Sequence, residues 1–252
     1  MDNSGVSTLN DIYFDGIYKD IWKSLIPQKL TDAEVAFMME CANLKPGSQV
    51  LDIMCGFGRH AIGLASNGCQ VTAIDNLSSY INELSAIAVE KHLPIECINQ
   101  HVLVFKSSTQ YDLAICMGNS LNFFDRTDTL KILDLINHHL KRGGKLLINS
   151  WSIAEIVIKD FVADHTGKKD DIIIETKSEY LLQPTRVETT NIFTLPDGTK
   201  EEKKAIDFVF SFAELEAMLI ETGYKMVSAE SIPGRKKFTL GDPRIYIVAE
   251  KV

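Results

Sequence analysis

Long apolar runs are missing from this chain: none approaches the roughly 20 residues that a membrane-spanning helix needs, so no span and no membrane partner are expected. Positive charge is in the minority. Lys and Arg total 26 against 34 Asp and Glu, for a formal net charge of −8. That balance argues against nucleic acid or an anionic lipid surface, where Lys and Arg must neutralise phosphates. The basic runs Lys141-Arg142 and Arg235-Lys236-Lys237 are short and read as solvated surface. Cysteine is scarce and scattered, at Cys41, Cys55, Cys69, Cys97 and Cys116. No pair has metal-type spacing and His138-His139 lacks matched acids, so no metal is expected and the thiols read as reduced. Residues Met1 to Asn10 lack the basic start and apolar stretch of a signal peptide, which leads to the expectation of a cytoplasmic protein.

What the chain does have is order of a particular kind. Residues 1–30 read as irregular and rich in aromatics, with Tyr13, Phe14, Tyr18 and Trp22. Thr31-Asp32-Ala33-Glu34 reads as a capping box that opens a helix to about residue 43. Strands follow at about 49–53, 70–74, 95–99, 111–117 and 145–149, with helices at about 58–67, 78–92 and 127–141. Alternation at these intervals implies βαβ crossovers and a parallel sheet. After about residue 165 the pattern changes. Residues 172–181, 186–195 and 200–210 read as antiparallel strands, with a turn at Pro196-Asp197-Gly198. Ser211-Phe212-Ala213-Glu214 is a second capping box, and two final strands at about 224–230 and 244–250 have no helix between them. The expected fold is α/β: a doubly wound, seven-stranded sheet with an antiparallel insertion. The expected divisions are an N-terminal helical cap (1–45), a core (46–164 and 211–252) and an insertion over the active site (165–210).

The most telling stretch is Val50 to His60. An apolar strand ends in Asp52, runs through a bend holding Gly56 and Gly58, and enters a helix. Glycine lets a backbone approach a ligand closely there. The next strand also ends in an acid, Asp75. Gly56-Phe57-Gly58-Arg59-His60-Ala61 fits the G-x-G-x-x-A dinucleotide pattern, which alone is weak evidence. Asp52, four residues before Gly56, separates two readings. A carboxylate there repels a pyrophosphate but suits an ammonium group, and Asp75 is placed to accept from both hydroxyls of a ribose. A ligand with ammonium, sulfonium and ribose but no phosphate is S-adenosylmethionine.

On these residues, together with Tyr111-Asp112-Leu113, Leu140 to Lys145, Leu195 to Gly198, Phe212 to Gly223 and Asp242-Pro243-Arg244, the chain resembles class I S-adenosylmethionine-dependent methyltransferases, of the bacterial small-molecule type with a β insertion. The resemblance implies that Asp52, Met54, Cys55, Gly56 and Gly58 belong to the cofactor bend. It implies that Asp75 takes the ribose and that Asn76 and Leu77 flank the adenine. The position that usually holds an acid for the adenine amino group is His101 here, preceded by Gln100. His101 accepts through a ring nitrogen, or Gln100 or backbone takes the contact instead. Met117 ends the fourth strand beside the methionine and ribose. Asn119 follows it near the transferred methyl group, and Tyr18 and Trp151 are candidates for the acceptor pocket. The titratable candidates for a base are His60, His101, Tyr13, Tyr18 and Glu179; none is assigned as catalytic. The expected activity is methyl transfer to nitrogen or oxygen of a small molecule. The alternatives are a nucleic-acid methyltransferase, an NAD-dependent oxidoreductase, or a binding protein without catalysis.

Overall fold

The computed structural model describes residues 9–252, so the first eight residues of the polar N-terminal stretch lie outside the described residues. Five strands form a parallel sheet: β1 (Gln49–Ile53), β2 (Gln70–Asp75), β3 (Ile95–Asn99), β4 (Tyr111–Cys116) and β5 (Leu140–Ser150), in the order β5-β4-β1-β2-β3. The order reverses between β1 and β4, and open α/β sheets bind ligands outside the carboxyl ends of the strands at such a point. Successive residues of β1 feed opposite faces, as the period of two demands. Leu51 and Ile53 join one apolar cluster, and Val50 joins the other. Every one of these three side chains is fully buried, worth about 1.5–3 kcal/mol each.

Helices α3 (Gln28–Cys41), α4 (Arg59–Ser66), α5 (Ser78–Glu90) and α6 (Arg126–His139) lie between or beside these strands. Helix α3 starts a turn earlier than the pattern predicts. Pro27 precedes it, and Thr31 and Glu34 sit buried inside the helix rather than capping it. Their side chains answer Arg59 and His60 on α4 instead.

Beyond β5 come α7 (Ala154–Asp160), which the sequence pattern does not announce, and a four-stranded antiparallel sheet. Its strands are β6 (Asp164–Lys169), β7 (Ile172–Leu182), β8 (Thr185–Thr194) and β9 (Lys200–Phe208), so one strand more than expected. The Ser211–Glu214 capping box forms as predicted and opens α8 (Phe212–Glu221). The chain then returns through β10 (Tyr224–Ile232), the two-residue β11 (Lys236–Lys237) and β12 (Ile245–Lys251). Strand β12 inserts antiparallel between β5 and β10, which brings the main sheet to eight strands once β11 is counted.

The aromatic N-terminal stretch is helical rather than irregular, with α1 (Leu9–Tyr13) and α2 (Ile17–Leu25). It bridges the two sheets. The Asn10 amide accepts from Ile206 N at 2.8 Å and donates to Ile206 O at 3.0 Å, as a further β strand would. On the other side, the Tyr80 hydroxyl donates to Phe14 O at 2.9 Å, and Lys19 pairs with Glu83 at 2.9 Å.

Candidate active site

The carboxyl ends of β1, β2 and β4, roofed by α1, α2, β8 and β9, enclose a cavity of about 1420 Å³ including its open mouth. Thirteen of the fourteen residues named from the sequence for cofactor or acceptor line it. The exception is Gly58. It caps α4 with φ +74°, and a Cβ there would stand 2.4 Å from Leu84 Cδ1, so its glycine serves helix packing rather than a ligand. Gly56 is different: its φ is +55° and a Cβ would meet no atom within 4 Å. The bend is pinned by Cys55 N donating to Ile74 O at 2.9 Å and Gly58 N donating to Cys55 O at 3.0 Å.

The two strand-end acids face the same space with different bonding. Asp75 Oδ2 accepts from Gly56 N and Oδ1 from Leu77 N, each at 2.9 Å. These bonds fix the plane of the carboxyl and leave lone pairs on both oxygens, since an ionised carboxylate offers about four acceptor sites. Burial pushes Asp75 up to about 6 against those N–H groups. Asp52 is 1% exposed, and its Oδ2 has no hydrogen-bond partner among the described residues. Burial pushes its pKa up to about 7, with Arg59 pulling down and Asp75 pushing up. An orphaned carboxylate oxygen at this depth costs a few kcal/mol unless a cation or donor reaches it. The cavity is where such a group would enter.

At the far end of β2, Asn76 is exposed and donates to Asp11 Oδ1 at 2.6 Å. His101 caps a short 3-10 turn, its Nδ1 accepting from Leu103 N at 3.2 Å. Burial lowers its pKa, so the ring is neutral and carries its proton on Nε2. The accepting nitrogen is therefore already engaged, and His101 can present only a donor to a ligand. The Gln100 amide donates to Val104 O at 3.3 Å, which leaves its oxygen as the acceptor at this position.

Past Met117 the cavity becomes aromatic. Tyr13 and Tyr18 lie 4.3 Å apart between ring centroids, Tyr18 stacks on Trp22 at 6.2 Å, and Trp22 meets Trp151 at 5.8 Å. Burial pushes Tyr13 up to about 12 and raises Tyr18, so both phenols are protonated donors at neutral pH and neither is a resting base. Of the other candidate bases, Glu179 does not line the cavity and His60 is bound to Glu34 at 3.0 Å.

Asn119 lines the cavity but is fully engaged within the protein. Its Oδ1 accepts from Ser150 Oγ, Trp151 N and Ser152 N, all at 3.0 Å, and its Nδ2 donates to Ser152 Oγ at 2.8 Å and Asp207 Oδ1 at 2.6 Å. It organises the pocket and has no donor left for an acceptor molecule. Its partner Asp207, on β9, is the residue that sequence reasoning missed. The one available signal was a lone carboxylate in the apolar run Ala205 to Phe210. Ala205 and Asp207, two apart on the strand, share the face that meets the cavity.

Residues 50–144 match the family described as "Methyltransferase domain". A ubiquinone biosynthesis O-methyltransferase from Rickettsia canadensis is 34% identical over 104 residues, 40% of this chain and 42% of that protein, so the chain spans less than half of this relative's length. Among solved structures, an S-adenosylmethionine-dependent methyltransferase from Clostridium acetobutylicum superposes with TM-score 0.81 at 17% identity, covering 93% of this chain and 96% of that one. An amino pentose methyltransferase from Micromonospora echinaspora, solved with S-adenosylmethionine bound, superposes with TM-score 0.71 at 17% identity, covering 94% and 98%. At such identities these structures show the fold. The fold is that of the class I S-adenosylmethionine-dependent methyltransferases, and the stretch from β1 to the turn inside β5 matches a methyltransferase domain. Its methyltransferase domain carries the strand-end acids and the bend of the cavity. S-adenosylmethionine, the cofactor of this class, suits the acceptors present: an unbonded buried carboxylate oxygen for an ammonium and a prealigned carboxylate for a diol.

Proposed function

We propose that this protein transfers a methyl group from S-adenosylmethionine to nitrogen or oxygen of a small molecule. The observation that carries the reading is the pair of strand-end acids, one with a buried oxygen lacking a partner and one held flat by two backbone N–H groups, opening onto an aromatic chamber. Asp52 would take the ammonium, Asp75 the ribose hydroxyls, and His101 Nε2–H would donate to a ring nitrogen of the adenine. Asn76 and Leu77 would flank that ring, with Met54, Cys55, Gly56 and Met117 along the methionine and ribose. When bound, S-adenosylmethionine supplies a methyl carbon on a cationic sulfur, the C–S pair staying with sulfur as a neutral thioether. No developing anion then needs stabilising, so the residues have to align the acceptor and exclude water. Positioning of this kind is worth up to roughly 7–11 kcal/mol.

In this reading the described part of the 1–45 segment, residues 9–45, caps the site, 46–164 with 211–252 hold the cofactor, and 165–210 roof the acceptor side, in a protein of the cytoplasm. The named relatives support a small acceptor: one is an O-methyltransferase of ubiquinone biosynthesis, the other an amino pentose methyltransferase. The test is calorimetry with S-adenosylhomocysteine, followed by incubation of a metabolite extract with methyl-labelled cofactor and mass identification of the labelled product. Saturable binding and a labelled small molecule are expected. Failure to bind, or preferential binding of NAD, overturns the reading.

The buried acids also set a pH dependence. Asp52 and Asp75 have folded pKa values of about 7 and about 6, above the ordinary 3.8. Raised carboxyl pKa values mean the folded state holds protons the unfolded chain releases. The associated stability is present below about pH 4 and is lost as pH rises through about 6 to 7. Thermal melts of the ligand-free protein should therefore show a lower Tm at pH 8 than at pH 5. Saturating S-adenosylhomocysteine should narrow that gap, because an ammonium beside Asp52 favours its ionised form.

A further inference from the structure

Resting on the proposed methyltransferase reading, we infer that Asp207 selects the acceptor: its Oδ2 receives a protonated amine, so the substrate is a small cationic amine and the methylated atom is nitrogen. Both hydrogen bonds to this carboxyl from the protein fall on Oδ1, from Asn119 Nδ2 at 2.6 Å and Ser152 Oγ at 3.2 Å. Oδ2 receives none from the described residues. The carboxyl cannot swing away to solvent, because its neighbours are locked in turn. Asn122 holds Phe208 O at 2.8 Å and Ser152 O at 3.2 Å, and Ser150 Oγ donates to Asn122 Oδ1 at 2.8 Å. These bonds tie β9 to the ends of β4 and β5, so an acid borne by the insertion is fixed at the cavity wall beyond Met117.

Among the described residues no cationic side chain forms a salt bridge with Asp207, whose bonds come from Ser152 and Asn119, and the cavity it lines is largely aromatic. The phenols of Tyr13 and Tyr18 are neutral donors, and the rings of Tyr18, Trp22 and Trp151 line the same cavity, an aromatic setting of the kind that attracts a cation. An alcohol gains little from such a wall, while an ammonium gains a charge-assisted bond and ring faces. Burial pushes Asp207 up to about 6, against the bonds from Ser152 and Asn119, which makes it a better proton acceptor than an ordinary carboxylate. When the amine is made nucleophilic, an N–H bond breaks, an O–H bond forms on Oδ2, and the electron pair stays on nitrogen.

The chain's two tryptophans, Trp22 and Trp151, both line this chamber, so intrinsic fluorescence reports its occupancy directly. The experiment titrates wild type and Asp207→Asn, each saturated with S-adenosylhomocysteine, with matched pairs of amine and alcohol: glucosamine and glucose, benzylamine and benzyl alcohol, ethanolamine and ethylene glycol. Asparagine keeps an oxygen for Asn119 and Ser152 but removes the charge. At least one amine should bind wild type well ahead of its alcohol and lose about 10- to 100-fold in affinity in Asp207→Asn. S-adenosylhomocysteine affinity should stay within about twofold, since Asp207 lies away from Asp52 and Asp75 in the reading proposed. Alcohols binding as well as amines, no amine binding, or an unchanged variant overturns the inference. Should the variant fail to fold, the wild-type amine and alcohol pairs decide alone. Loss of S-adenosylhomocysteine binding by the wild type itself sinks the methyltransferase reading, whereas binding without amine preference sinks only this assignment.

Discussion

Asp75→Ala is expected to weaken S-adenosylhomocysteine binding by about 100-fold or more, measured by calorimetry, while leaving a folded protein. The ribose diol would donate two hydrogen bonds to a charged acceptor, and such bonds contribute about 1.5–3 kcal/mol each. The carboxyl is already oriented by Gly56 N and Leu77 N, so binding requires little further ordering. Its removal has a second effect. Gly56 N loses its acceptor, and the bend proposed to line the methionine side is released with it. Asp75→Asn separates the two effects. The amide retains one oxygen acceptor and turns the other position into a donor, so it can hold one backbone N–H but not both, and one hydroxyl but not a diol. A loss of about tenfold is expected there, between wild type and alanine. Stability should change little in either variant, because deleting a carboxyl whose folded pKa is raised to about 6 also deletes its burial penalty at neutral pH. An alanine variant binding within about threefold of wild type would show that the diol sits elsewhere.

The half of the site proposed for the cofactor was legible because its signal is local. Strand, acid, glycine bend and helix are contiguous at Val50 to His60, and β2 supplies a second acid one crossover later. The acceptor half was not. Asp207 reaches the cavity only because Asn119 and Asn122, 88 and 86 residues away in sequence from their β9 partners, bind its strand to the main sheet. Strand period says that Ala205 and Asp207 share a face; it does not say what that face meets. Asn119 shows the converse. Its place after β4 identified it as a pocket residue, but five hydrogen bonds to its own side chain leave it a builder of the wall rather than a contact for substrate. His101 was found by position, yet only the Leu103 N–H reveals which ring nitrogen remains for a ligand. The Thr31–Glu34 pattern misled for a physical reason: a capping box and a buried polar pair have the same residue types at the same spacing, and the difference lies in partners far along the chain.

Glu34 accordingly carries the largest expected stability effect. It is 1% exposed and gathers partners from two elements: Arg59 Nη1 and His60 Nε2 of α4, the latter at 3.0 Å, and the Tyr246 hydroxyl of β12 at 2.7 Å. Burial opposes its charge, but the bonds from His60 and the charge of Arg59 outweigh that and hold the carboxyl down at about 2. His60 itself is lowered by burial, so a neutral ring donates the bond. Glu34→Ala leaves a guanidinium without its counter-charge, holding only Thr31 Oγ1, and a ring N–H and a hydroxyl without their acceptor, and breaking a buried pair in this way costs about 3–5 kcal/mol. For a chain of this size that corresponds to a fall in Tm on the order of 10 °C. Glu34→Gln should fall in between, since its oxygen still accepts from Tyr246 while Arg59 loses its counter-charge. The acid limb of the stability curve gives an independent readout. A depressed carboxyl pKa adds stability above its ordinary 4.5 that is lost as pH falls through about 2, so wild type should lose stability across that window and Glu34→Ala should lack this component. The network also reaches the site, because Arg59 lines the cavity and lowers the pKa of Asp52. Freed from Glu34, Arg59 would turn toward the orphaned oxygen of Asp52 and compete with a ligand ammonium. Glu34→Ala should therefore weaken S-adenosylhomocysteine binding in addition to lowering Tm, and a variant that melts like wild type would show that α3 and α4 are held by packing alone.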